Sequence, residues 1–198
     1  MNPLRIVTRM LALVSLLFLA ACASGPVTEL PPAEEPEIAA LTQEIRSLAP
    51  DVDPDEAARA ARISLQYPRQ LALQYGVTDP PLRHNMLVNM GLRDRGLCWH
   101  WADDLQARLE EENFRTLTLH RAIANADSRW RIDHSTVIVS ARGEGLFDGI
   151  VLDPWRNGGL LHWSPVTEDP EYVWVPRQEV FAERIRQLEA EGRPVPQG

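Results

Sequence analysis

The sequence predicts an α+β domain, N-terminal helices followed by an antiparallel sheet. Three observations carry that prediction. Up to residue 112 the apolar residues recur at helical spacing; after Asn113 the texture turns to short β-rich runs separated by polar or glycine-containing turns; and 179–191 returns to the helical period with Phe181, Ile185 and Leu188 on one side. No internal repeat is visible, and the 198 residues suit one ordinary domain better than two.

Taken in order, Ile38, Leu41, Ile45 and Leu48 keep helical spacing. Asp53-Pro54-Asp55-Glu56 reads as a helix start, with an aspartate cap, a proline in the first turn and acids near the positive end of the dipole. A further helix is expected from 81 to about 93, with Gly91 and Gly96 bracketing the turn beyond it. The next, over about 97–112, puts Cys98, Trp101, Ala102, Leu105 and Leu109 on one face and polar residues on the rest. Cys98 therefore lies in the first turn, on the side turned to the core. Strands are expected at 116–120, 135–140, 149–152 and 171–175.

At the N-terminus, Arg5 and Arg9 precede an apolar run over 10–20 interrupted only by Ser15. The run is too short to cross a hydrocarbon core of roughly 30 Å as a helix, and a secretory signal fits it better. It exits through Leu19-Ala20-Ala21-Cys22. These residues resemble the lipobox of bacterial lipoproteins, which implies removal of 1–21 and lipid attachment at Cys22. Ala23, where an aspartate is associated with inner-membrane retention, then implies an outer-membrane anchor facing the periplasm. Residues 22–37 carry Pro26, Pro31, Pro32 and Pro36 among acids and read as a tether. Fully extended at about 3.1 Å per residue, the fifteen residues beyond Cys22 would reach up to roughly 45 Å. The domain is expected over 38–198.

Charge narrows the function classes. All 20 basic residues are arginine, against 28 acids, for a net charge of −8, and loss of Arg5 and Arg9 lowers it further. An acidic chain without a basic block is a poor nucleic-acid binder and gains little from an anionic membrane surface, so a lipid would have to do the anchoring. With Cys22 lipidated, Cys98 has no partner for a disulfide. A lone thiol is either a small buried hydrophobe or a reactive group.

At a helix N-terminus a cysteine feels the unpaired amides, which favours thiolate. Such a nucleophile needs a base, and the base an orienting group. His134 opens one expected strand and Asp153 closes another, so three element ends can converge. His120 and His162 are competing bases, whereas His100, two residues from Cys98, is expected to be exposed. Cys98, His100, Asp103 and Asp104 cluster in sequence, but no Cys-x-x-Cys or His-Glu-x-x-His spacing aims them at a metal. Neither a Gly-x-Ser-x-Gly elbow nor a glycine-rich phosphate loop is present, and no cofactor is implied.

Gly96-Leu97-Cys98-Trp99 with Ala102 on the following turn, His134 with Val137 and Val139 behind it, and Val151-Leu152-Asp153-Pro154-Trp155 resemble, over about 80–165, the transglutaminase-like branch of papain-type thiol enzymes. The resemblance implies a Cys-bearing helix packed on an antiparallel sheet, with Cys98 as nucleophile, His134 as base and acid, and Asp153 as orienting group. It also implies an oxyanion hole built from the Cys98 amide and a second donor, for which Tyr67, Tyr75 and Asn85 are candidates, with Trp99 and Trp155 as cleft walls. Two departures stand out: Ser135-Thr136 follow the histidine where family members often carry an aromatic residue, and no tryptophan precedes Trp99 as an oxyanion donor. Lysine is absent, so the chain cannot be its own amine acceptor. The expected partner is a peptide or protein substrate, which in the periplasm points to peptidoglycan stem peptides or envelope proteins. The alternative is a non-catalytic envelope lipoprotein that binds a partner in the same groove.

Overall fold

Asp53 starts the longest helix as the residue pattern requires. Its carboxylate accepts from the amides of Asp55 and Glu56 at 2.8 and 3.0 Å, and Pro54 takes the first helical position. In the computed structural model, which describes residues 29–195, this helix is α2 (Pro54–Gln74), between α1 (Glu35–Arg46) and α3 (Pro81–Asn89). Then come α4 (Cys98–Glu110), β1 (Leu117–Ala124), β2 (His134–Ala141), β3 (Ile150–Asn157), β4 (Leu160–Pro165), the two-residue β5 (Val175–Pro176) and α5 (Arg177–Ala190). The strands form one sheet in the order β4-β3-β2-β1-β5, antiparallel throughout. The fold class is α+β. Among the described residues no helix is long and apolar enough to cross a membrane.

β2 is the central strand and is buried along its whole length, because both of its faces are covered. Val137, Val139 and Ala141 join Ile150 and Leu152 of β3 against α1, α2 and α4, through Leu41, Ile45, Leu65, Leu105 and Leu109. Ile138 and Val151 turn to the other face, where Leu146, Val166 and Trp174 cover them. On α2, Ala57, Ala60 and Ala61 are fully buried, and their small side chains let α1 and the sheet approach closely.

Glu56 ties α2 to the start of β1. Its buried carboxylate accepts from the amides of Arg115 and Thr116 at 2.9 and 2.8 Å and from the Thr116 hydroxyl at 2.7 Å. Burial pushes this carboxyl up, but the Thr116 and Arg115 donors and the nearby Arg59 outweigh it and hold it below its ordinary value.

The structure departs from the sequence reading in four places. The signal segment, Cys22 and the first part of the tether lie outside the described residues, but the end of the tether is docked. Arg69 donates from Nε to the Pro31 carbonyl at 2.8 Å and pairs with Glu37 at 3.0 Å, Ala33 is buried, and α1 begins at Glu35. The packed chain therefore starts upstream of residue 38. Next, α3 ends at Asn89 and not near 93, with Gly91 just beyond its cap in the left-handed region at φ 72°. Of the strand expected at 171–175 only Val175 pairs, because Tyr172 and Trp174 turn onto a histidine instead. Finally, β4 was not foreseen; Gly158 and Gly159, both at positive φ, make the turn that returns the chain beside β3.

Replacing Glu56 by alanine leaves two backbone amides at the α2–β1 junction without an acceptor. The expected loss is about 2 kcal/mol, read as a lower urea midpoint with an unchanged denaturant slope.

Candidate functional site

The turn before Cys98 is held by three ring side chains. Gly96 lies at φ 123°, and a Cβ there would stand 2.3 Å from His84 Nε2, so only glycine fits. His84 Nε2 donates to the Arg95 carbonyl at 2.9 Å, and Trp101 Nε1 donates to the Gly96 carbonyl at 2.9 Å. His100 Nδ1 accepts from the amides of both Gly96 and Leu97 at 3.2 Å. His100 is thus buried and structural, not exposed as its helical position suggested. Burial, with Arg95 nearby, lowers its proton affinity, consistent with a neutral ring whose Nδ1 accepts. The Trp99 ring packs against it, tilted, at 3.8 Å between centroids.

Cys98 follows as the first residue of α4, where its own amide is one of the unpaired helix donors. The residue is 7% exposed; its thiol donates to the Asp133 carbonyl at 3.5 Å and borders a cleft of about 290 Å³. Beside it, at the start of β2, stands the His134 ring. Nε2 donates to Asp153 Oδ2 at 2.6 Å, while Nδ1 is sealed from solvent without a conventional hydrogen-bond partner among the described residues. The ring is boxed by Trp155, Tyr172 and Trp174 at centroid distances of 4.7, 4.6 and 5.3 Å. Burial alone would lower its pKa. The Asp153 carboxylate, through charge and hydrogen bond, and the adjacent Cys98 sulfur override burial and raise it to about 9.

Asp153 is fully buried where β2 and β3 part company, since their pairing stops at Val137 and Leu152 and β3 is irregular beyond Asp153. Oδ1 accepts from the Trp155 and Arg156 amides at 3.1 and 3.3 Å, and Oδ2 from His134 and from Arg156 Nε at 3.0 Å. Burial works to raise this carboxyl's pKa, but His134 and Arg156 overcome it and the net direction is down. Arg156 also grips Asp169 at 3.1 and 2.7 Å. Asp169 in turn accepts from Trp174 Nε1 at 2.9 Å and is brought down to about 2, against burial, by Arg156, the Glu171 amide and Trp174. Sequence reasoning missed Arg156, Asp169, Tyr172 and Trp174. Only Arg156 adjoins the Asp153-Pro154-Trp155 run; the other three come after β4 and carried no signal.

The structure brings Cys98, His134 and Asp153 to one place and sorts the other candidates. Trp99, 48% exposed, borders the cleft. Trp155 is buried as a wall of the histidine box, and Asn85 serves it, accepting from Trp155 Nε1 at 3.1 Å. Tyr75 donates its hydroxyl to Asp104, and burial together with that carboxylate raises its pKa well above the ordinary tyrosine range. Tyr67 packs half-buried against the core. Neither tyrosine nor Asn85 lines the cleft that Cys98 borders. Of the competing bases, His120 bonds Ser140 Oγ at 2.7 Å and borders an adjoining groove that shares Arg121, Arg177 and Phe181 with the thiol cleft, and His162 lies on β4 opposite Asp153 and does not line that cleft. Asp103, Asp104 and His100 point to different partners: Arg121, Arg95 and the backbone, respectively.

The His134–Asp153 pair should give stability a characteristic pH dependence. His134 titrates near 6.5 when unfolded, so its contribution is complete below that value and is lost as pH rises through about 9. Asp153, held low, contributes above its unfolded value near 3.9 and loses that contribution as pH falls through the native one. The urea midpoint is expected to be highest between about 4 and 6.5, with the alkaline decline flattened in His134→Phe. Comparison with known protein families, curated proteins and solved structures finds no match.

Proposed function

We propose that this protein is a lipid-anchored envelope protein whose transglutaminase-like domain acts on amide bonds through a thioester at Cys98. The observation that carries the reading is the His134 ring, with one nitrogen on Asp153 at 2.6 Å and the Cys98 thiol beside it at an open cleft. With its proton affinity raised to about 9, the ring can take the thiol proton and hold it at neutral pH. Sulfur attack on the amide carbon forms a tetrahedral oxyanion within reach of the unpaired Cys98 amide. Collapse breaks the C–N bond, and His134 returns its proton to the leaving amine. Water then releases an acid, giving peptidase or amidase chemistry, whereas an amine as second nucleophile gives a crosslink. The anchor rests on the lipobox-like Leu19-Ala20-Ala21-Cys22, and an outer-membrane site facing the periplasm makes peptidoglycan stem peptides or envelope proteins the substrate class.

Burial supports a second reading. Cys98 is 7% and His134 1% exposed, as expected if the thiol is a packing group and the groove binds a peptide or protein partner without turnover.

Iodoacetamide separates the two readings. If the site is catalytic, native protein is alkylated at Cys98, and His134→Ala slows the reaction at least tenfold. Labelling only after denaturation favours the binding module. For the anchor, labelled palmitate is expected to enter the wild-type chain in a bacterial host, and Cys22→Ser should abolish its incorporation.

A further inference from the structure

The chain is acidic, yet the cleft beside Cys98 is not. Arg121, Arg177 and Arg184 line it, against Asp103 and Asp133. Both acids are matched, Asp103 by Arg121 and Asp133 by Arg184 at 2.5 Å. Arg121 is further held by Ser135 Oγ at 2.8 Å and is 9% exposed at its side chain, so it is part of the wall. Arg177 makes no ion pair among the described residues. Its guanidinium lies over the Phe181 ring, 5.0 Å from the centroid, and is exposed at the cleft. Glu183 of the same helix borders a neighbouring groove and not this one, and Glu179, which shares an adjoining groove with Arg177, makes no ion pair with it and does not line the thiol cleft. One positive charge is thus left uncompensated beside the thiol.

Resting on the thiol-enzyme reading, we infer that the acyl donor carries a carboxylate near its scissile amide, and that Arg177 receives it. The match is one to one. A single planar guanidinium pairs with a carboxylate through two parallel hydrogen bonds, whereas a phosphate dianion would leave excess negative charge. The cleft, at about 290 Å³, lies at the small end of ligand pockets and suits one or two residues around the reacting bond. Arg177 is a specificity residue here and takes no part in proton transfer.

The test uses two alkylating reagents of nearly equal size, iodoacetate with a carboxylate and neutral iodoacetamide, on the purified full chain. The ratio of their second-order rates at Cys98 is expected to fall at least threefold in Arg177→Gln and to be restored in Arg177→Lys. Arg186→Gln, which alters the neighbouring groove, should leave it unchanged. A native Cys98 that alkylates with the same ratio in wild type and Arg177→Gln overturns the carboxylate assignment and leaves the thiol reading standing. If iodoacetamide labels Cys98 only after unfolding, both fall. The source of the carboxylate is read by slowing iodoacetamide with acetyl-alanyl-glutamate amide, acidic only in its side chain, or acetyl-alanyl-alanine, acidic only at its C-terminus. The stronger protectant names the source, and equal slowing by neutral acetyl-alanyl-glutamine amide overturns the inference.

Discussion

A carboxylate with no exposed surface organises this molecule. Removing a charge from water costs several kcal/mol unless its lone pairs are taken up, and Asp153 meets that condition with four donors, two from backbone amides and one each from His134 and Arg156. The donors constrain one another. Arg156 reaches Asp153 with Nε while its other two nitrogens grip Asp169, and Asp169 fixes the Trp174 indole that walls the histidine. Orientation of the imidazole is therefore set by a network running from β3 through the segment before β5. Its position at the sheet's parting point has a physical reason: only where β2 and β3 stop pairing is there room for a side chain to accept from backbone amides that a regular ladder would occupy.

The cysteine side is built by a different device. There the backbone is held, and the nucleophile candidate is carried by it. Gly96 permits a conformation that a Cβ would block, and His84, His100 and Trp101 fasten the carbonyls and amides around it. A sulfur delivered by a rigid turn to an imidazole fixed by a buried network needs little rearrangement to react, which is the geometric economy that preorganised sites exploit. The cleft that Cys98 borders is rimmed by α5, a helix with one buried residue, Val180, tied to the β1–β2 connection through Arg184 and Asp133. Part of the cleft rim thus belongs to the least buried helix of the fold, whereas His134 and Asp153 belong to its buried strands and Cys98 to the start of α4.

Elements whose signal is local were legible in the sequence. The Asp53-Pro54 start of α2, the apolar stripe of α4 with Cys98 in its first turn, and the all-apolar middle of β2 depend on residues within a few positions of each other. Cys98 and His134 could be named because each opens an element whose type was readable, and Asp153 because it follows the apolar run that starts β3, although that strand continues to Asn157 instead of closing at Asp153. His100 was misjudged because helical geometry says which way a side chain leaves its helix and nothing about a turn folding back to meet it. Glu56 and Thr116, Arg69 and Pro31, and Asn85 and Trp155 are joined across tens of residues by contacts that leave no periodic trace.

By itself, then, the sequence determined the order and kind of most elements, the acidic balance of the chain and the short set of groups able to do thiol chemistry, since those follow from periodicity, composition and side-chain reactivity. Tertiary structure alone decided which imidazole nitrogen meets the carboxylate, which aromatic rings close around it and which arginine is left without a counter-charge. Those outcomes turn on distances of a few ångströms between residues far apart along the chain, and on competition among many polar groups for a few buried partners.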